Sequence, residues 1–317
     1  MPVLFEAIPT QLRFRFPFKI AHGERTHTDC VVLKASVGKY MAQGEATLPP
    51  YLPDTVESVL AFLSHPFFKT IEDDFHPADV FAEMEKLFAG NMPAKAAVDM
   101  ALWNLKAQLE NKSIGELMGI NSKKTTPHSY TIGICTKAEM QERLQFGIDN
   151  GFSFFKLKLN GENDEEIIRN YLSLCKHPFA VDANQSWKME DKEQILSLIK
   201  LLAENNCPLI EQPFIKTDRA HTLWLKEQTN IPIIADESCQ RLEDIDDLKQ
   251  CFDGINIKLQ KCGGLTEAKL MIELARSLDM KVLIGCMSES SIGCGAAEVL
   301  APLCDWADLD GPFLIKK

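Results

Sequence analysis

From residue 126 to residue 317 the sequence repeats one unit, a short apolar run followed by an amphipathic stretch. The runs read HSYTIG, FFKLKL, PFAVDAN, CPLIEQP, IPIIADES, GINIKLQ, KVLIGCMS and DWADLDG. Stretches such as TKAEMQERLQFGIDN and GGLTEAKLMIELARSLD separate them with helical periodicity. Strand alternating with helix predicts a parallel α/β sheet. Eight units of about 25 residues predict closure into a barrel. An open doubly wound sheet would want a glycine-rich phosphate loop after an early strand. Neither G-x-G-x-x-G nor G-x-x-x-x-G-K-[ST] occurs.

The ends of the runs carry the chemistry. FFKLKL holds Lys156 and Lys158, PFAVD ends in Asp182, CPLIE in Glu211, IPIIAD in Asp236, GINIK in Lys258, and DWADLD in Asp308 and Asp310. Lys156 and Lys158 are two residues apart, so on a strand they share one face opposite Phe155, Leu157 and Leu159. Taken alone, such a strand reads as a sheet edge with its lysines in water. A single strand-end Asp reads as a helix cap or a turn residue. Five successive runs ending on ionisable residues in the same phase resist that reading, because lysine caps a helix N-terminus poorly. In a barrel all the C-terminal strand ends meet at one mouth, where catalytic groups sit.

Asp182, Glu211 and Asp236 come from three consecutive strands about 4.8 Å apart. Three carboxylates that close repel, and a hard divalent cation resolves the repulsion. All-oxygen ligands favour Mg²⁺ and leave about half of its octahedral shell for water or substrate. Lys156 and Lys158 precede the triad by one strand and Lys258 follows by one. A lysine near a dication and partly desolvated is expected to have a depressed pKa and to act as a base. Lys158 and Lys258 on opposite faces of one carbon suit racemisation or epimerisation, one removing a proton and the other returning it. Lys156 is then the electrostatic partner of the enolate oxygen.

A net charge of −11 without a basic block argues against nucleic acid or an anionic membrane as partner. No apolar run approaches the ~20 residues of a membrane-spanning helix. MPVLFEAIPTQLRFRF alternates like a strand and lacks the shape of a signal peptide. Ten cysteines without a C-x-x-C pair read as reduced thiols, and a cytoplasmic enzyme is expected.

KLK at 156–158, DAN at 182–184, EQP at 211–213, ADES at 235–238 and IKLQKCGG at 257–264 resemble, in order and spacing, the muconate-lactonising subgroup of the enolase superfamily. The resemblance implies a modified TIM barrel, (β/α)7β, over residues 126–317, and an α+β capping domain over residues 1–125. The segment AAVDMALWNLKAQ fits a helix of that cap, and by its own pattern reads simply as core. DLDG at 308–311 resembles the D-x-D motif of the dipeptide epimerases, which implies that Asp308 and Asp310 bind a substrate ammonium. The implied reaction inverts the Cα of the C-terminal residue of an L-Ala-Xaa dipeptide, with Mg²⁺ on the triad and Thr131 as a further substrate contact. Asn184, Gln212 and Glu237 would orient the ligands.

Two features depart from the family pattern. The sequence runs only seven residues past Asp310. The first cap loop, FKIAHGERTHTD, has His22 and Gly23 where Glu-specific members carry an arginine, with Arg25 displaced. An apolar C-terminal residue of the substrate is therefore expected. TLPPYLP at 47–53 is expected to be the second lid loop, and the serines of CMSES at 286–290 to cap the next helix. Other readings are an o-succinylbenzoate synthase or lactonising enzyme on the same fold, and a metal-free Schiff-base lyase using Lys258. Homo-oligomer formation is left open.

Overall fold

The alternation near the N-terminus becomes an antiparallel sheet of β1 (Leu4–Ile20), β2 (Gly23–Val37) and β3 (Tyr40–Leu48) in the computed structural model. The structure describes residues 1–21, 23–122 and 124–316, so His22 lies outside it. Val31, Leu33 and Ala35 share one fully buried face of β2, as a period of two requires. The helix Met92–Glu110 packs on this sheet so closely that a Cβ on Gly44 would stand 1.9 Å from the Ala97 carbonyl oxygen. Only glycine permits that approach. The ladder between β1 and β2 breaks after Arg13↔His27 and resumes at Phe18↔Arg25. The irregularity re-aims the end of β1, as bulges do.

The eight apolar runs become β4 (Tyr130–Ile132), β5 (Phe155–Lys158), β6 (Phe179–Asp182), β7 (Ile210–Glu211), β8 (Ile233–Ala235), β9 (Gly254–Lys258), β10 (Lys281–Gly285) and β11 (Trp306–Asp308). They pair in parallel in chain order. A parallel bridge between His128 and Ala307, with the Ser129 N–H donating to the Ala307 carbonyl at 2.9 Å, joins the first strand to the last and closes the barrel.

Period-two alternation sets the contents of the barrel. Phe154, Ala180, Leu209, Ile234 and Leu283, with Trp306 beside them, form an apolar plug. Two residues further along these strands stand Lys156, Asp182, Glu211, Asp236, Gly285 and Asp308. The same inward face is thus greasy low in the barrel and ionisable at the mouth, in stacked layers.

The cap covers that mouth and is tied to it by polar contacts. Asp99 of the cap helix accepts the Thr266 N–H at 3.0 Å and the Thr266 hydroxyl at 2.6 Å. Arg241, just past β8, donates to Glu85 of the cap and to Glu267 of the barrel, each at 2.6 Å. The segment after β11 also docks on the cap: Ile315 bridges to Phe14, and the Lys316 N–H donates to the Arg13 carbonyl at 2.7 Å. Among the described residues no helix is long and apolar enough to cross a membrane.

Candidate active site

A cavity of about 330 Å³ lies between the barrel mouth and the cap. The barrel contributes Thr131, Lys156, Lys158, Asn184, Asp236, Glu237, Lys258, Asp308 and Asp310, and the cap contributes Phe18, Ile20, Arg25, Tyr51, Leu52 and Pro53. Most of the sequence-derived candidates line this one space, including residues of both expected lid loops. Asp182, Glu211 and Gln212 do not line it and are fully buried.

Asp182, Glu211 and Asp236 are buried, and each presents an oxygen within 4.8 Å of the others. In-register pairing sets Lys158 beside Asp182 and Asp182 beside Glu211. Burial, with Asp182 alongside, pushes the Glu211 carboxyl up to about 6. Burial raises Asp236 as well, but Lys258 and Lys261 outweigh it and hold that carboxyl far below its usual range. Next to the triad, Asn184 Oδ1 and Glu237 Oε2 are buried without a hydrogen-bond partner among the described residues. Burial, then Asp236 and Asp182, push the Glu237 carboxyl up to about 8. Three converging carboxylates with orphaned oxygens beside them form an all-oxygen donor set that fits Mg²⁺.

The lysines flank the triad from both sides. Lys158 Nζ donates to Asp182 at 2.5 Å, and Lys258 Nζ donates to Asp236 at 2.7 Å. Lys156 Nζ donates to Glu211 at 3.1 Å and to Asp308. Burial lowers the Lys156 pKa, but Asp308, Glu211 and Asp182 overcome it and hold the group well above its ordinary value. Lys258 behaves alike, with Asp236 and Glu211 overcoming burial. Among the protein groups by themselves, carboxylates beside these two lysines outweigh desolvation.

At the opposite wall, Asp308 accepts the Ser129 hydroxyl at 2.8 Å and the Thr131 hydroxyl at 3.1 Å. Asp310 accepts the Thr131 N–H at 2.6 Å. Burial and then Asp308 push the Asp310 carboxyl up to about 7. Thr131 thus stands behind the two carboxylates and holds both. Arg25 donates to the Thr28 hydroxyl at 2.9 Å and lies over the Phe14 and Tyr51 rings. Cys286, Met287 and Ser288 line the cavity, while Ser290 caps the following helix through the Ile292 N–H.

Asn256 and Lys261 escaped the sequence reading, while Gln212 was expected to orient the ligands. Asn256 donates to Glu211 at 2.7 Å. It stands two residues before Lys258, so strand alternation could have found it. Lys261 donates to Asp236 Oδ1 at 2.7 Å from within IKLQKCGG. Gln212 accepts the N–H groups of Asp236 and Ser238 at 2.9 and 3.0 Å, from a left-handed backbone with φ of 36°. Asn184 donates to Asp182 at 3.3 Å and to Glu237 at 3.4 Å.

Comparison with known proteins agrees with this arrangement. Residues 139–304 match the family described as enolase C-terminal domain-like, and residues 6–119 match the mandelate racemase/muconate lactonizing enzyme N-terminal domain. An L-Ala-D/L-Glu epimerase from Bacteroides thetaiotaomicron is 40% identical over 97% of this chain and 79% of that protein. A hydrophobic dipeptide epimerase from Roseobacter litoralis is 30% identical over 94% and 87%. The crystal structure of a dipeptide epimerase from Enterococcus faecalis, complexed with Mg and L-Leu-L-Tyr, superposes with a TM-score of 0.91 at 26% identity, covering 100% of this chain and 92% of that one.

Proposed function

Because the chain belongs to the mandelate racemase/muconate lactonizing enzyme family of the enolase superfamily, we propose that it is a dipeptide epimerase. In this reading residues 1–125 form a specificity cap and residues 126–317 carry the chemistry. The enzyme inverts the Cα of the C-terminal residue of an L-Ala-Xaa dipeptide. The observation that carries the reading is the pair Lys158 and Lys258 flanking one carboxylate triad, with Asp308 and Asp310 on the far wall.

Asp182, Glu211 and Asp236 would hold Mg²⁺, which supplies positive charge that competes with the lysines for these oxygens and favours negative charge on the substrate. One of Lys158 and Lys258 removes the α-proton, and the other delivers a proton to the opposite face of the same carbon. Lys156, held protonated by its neighbours, offsets the charge that develops on the substrate oxygen. Asp308 and Asp310 bind the substrate ammonium, with Thr131 fixing their orientation. Asn184 and Glu237 orient the ligands.

Ile20, Leu52, Pro53 and Met287 make much of the wall apolar, which supports an apolar Xaa. A second reading, glutamate as Xaa, is supported by Arg25. That guanidinium borders the cavity and forms no ion pair among the described residues. The ten cysteines, none in a disulfide, support a reducing compartment and hence the cytoplasm.

The test is incubation with L-Ala-L-Xaa dipeptides in D₂O and Mg²⁺, read by NMR for epimer formation and α-deuterium. Epimerisation that stops in excess EDTA is expected. N-acetylation of the substrate should lower kcat/KM by on the order of 10²-fold, since it leaves Asp308 and Asp310 without their cation. Full turnover in EDTA, or equal rates for acetylated substrates, sinks the reading. L-Ala-L-Glu beside L-Ala-L-Leu decides between the two side-chain classes.

A further inference from the structure

Resting on the dipeptide reading, we infer that Leu314 and Phe18 set the size limit for the N-terminal residue of the substrate, restricting it to alanine and other small residues. Phe18, Thr131 and Leu314 border the main cavity on one side and, on the other, a small void reaching Tyr130 and Arg143. They form a partition between the two spaces. The partition stands beside the ammonium-binding carboxylates. The Thr131 N–H donates to Asp310, its hydroxyl donates to Asp308, and the Leu314 N–H donates to the Asp310 carbonyl at 3.2 Å.

An N-terminal residue carries its ammonium and its side chain on the same Cα. An ammonium on Asp308 and Asp310 therefore brings that side chain against the partition. The partition is braced. Leu314 is 8% exposed and packs in the barrel core, and the next two residues are stapled to β1 at Phe14 and Arg13. Phe18 sits where the β1 ladder resumes after its irregularity, and it lines the same cavity and void as Leu314. A close-packed wall of this kind yields little to a larger ligand.

The experiment compares kcat/KM for dipeptides with L-Ala, L-Val, L-Leu and L-Phe at the N-terminal position. The C-terminal residue is the one the unmodified enzyme prefers. The unmodified protein should favour L-Ala over L-Leu by more than about tenfold, and Leu314→Ala and Phe18→Ala should each narrow that ratio at least about tenfold. If Leu314→Ala does not fold, Phe18→Ala decides by the same ratio. A folded variant that keeps the original ratio overturns the inference, as does an unmodified enzyme that accepts L-Leu and L-Phe as readily as L-Ala. If no dipeptide is epimerised by the unmodified protein, the parent reading fails and this one with it. That result is distinct from turnover with an unmoved ratio.

Discussion

Lys158 and Lys258 hold the two-base reading at the scale of the residue. Each is buried, and each donates to a carboxylate of the triad from its own side. If each serves one face of the substrate carbon, removing one amine leaves half the cycle. Lys158→Ala and Lys258→Ala are each expected to lower net epimerisation by about 10²–10⁴-fold. Each variant should still exchange the α-proton of one epimer with D₂O, and the two variants should act on opposite epimers. NMR of the α-position, run separately from each epimer, checks this. A single variant that epimerises at the normal rate refutes the scheme.

At the scale of the element, the cap completes a helix of the barrel. The barrel helix Leu265–Ser277 begins at Gly264 without a side-chain cap of its own. Asp99, from the cap helix Met92–Glu110, accepts the Thr266 N–H instead, so the first turn is capped across the domain seam. A Cβ on Gly264 would stand 2.4 Å from the Asp99 carboxylate, which explains glycine there. Asp99→Ala leaves those donors unmatched and is expected to cost about 1–2 kcal/mol. Urea unfolding should show a lower midpoint at unchanged slope, since the buried area barely changes. An unchanged midpoint would show that water caps the turn equally well. The sequence marked this helix as core by its apolar period, yet the polar residue inside it was not read, because its partner lies 167 positions away.

For the whole molecule, five buried carboxyls share one direction of shift. Burial is the largest cause in each, and it pushes Glu211 up to about 6, Asp99, Glu289 and Asp310 to about 7, and Glu237 to about 8. In the unfolded chain these groups ionise near pH 4, so between about pH 4 and pH 8 the folded state binds more protons. The stability they supply is complete below about pH 4 and is lost as pH rises through their folded values. Asp236 and Asp308 are held low and act the other way, at still lower pH. In EDTA, Tm at pH 5.5 should exceed Tm at pH 8 by roughly 5 °C or more. Mg²⁺, binding the ionised triad, should raise Tm more at pH 8 than at pH 5.5. Calorimetry at both pH values, with and without Mg²⁺, measures both effects. A Tm that rises from pH 5.5 to 8 in EDTA would overturn the balance drawn here.

Much of this protein was legible in its sequence because the relevant rules are local. Strand alternation is a property of neighbouring residues, and barrel closure brings every strand end to one mouth. Runs ending in Lys156, Asp182, Glu211, Asp236, Lys258 and Asp308 therefore implied one shared site before any coordinates. Contacts between distant segments were not legible. Lys156 meets Asp308 across 152 residues, Asn256 meets Glu211 across 45, and Phe18 lines the same cavity as Leu314 from the far end of the chain. The balance of charge around the lysines was not legible for the same reason. The sign of a pKa shift is a sum over charges from several strands, and direct contact with carboxylates outweighs the burial that sequence alone suggests. Periodicity determined which residues face inward, and only the tertiary structure decided which of them touch.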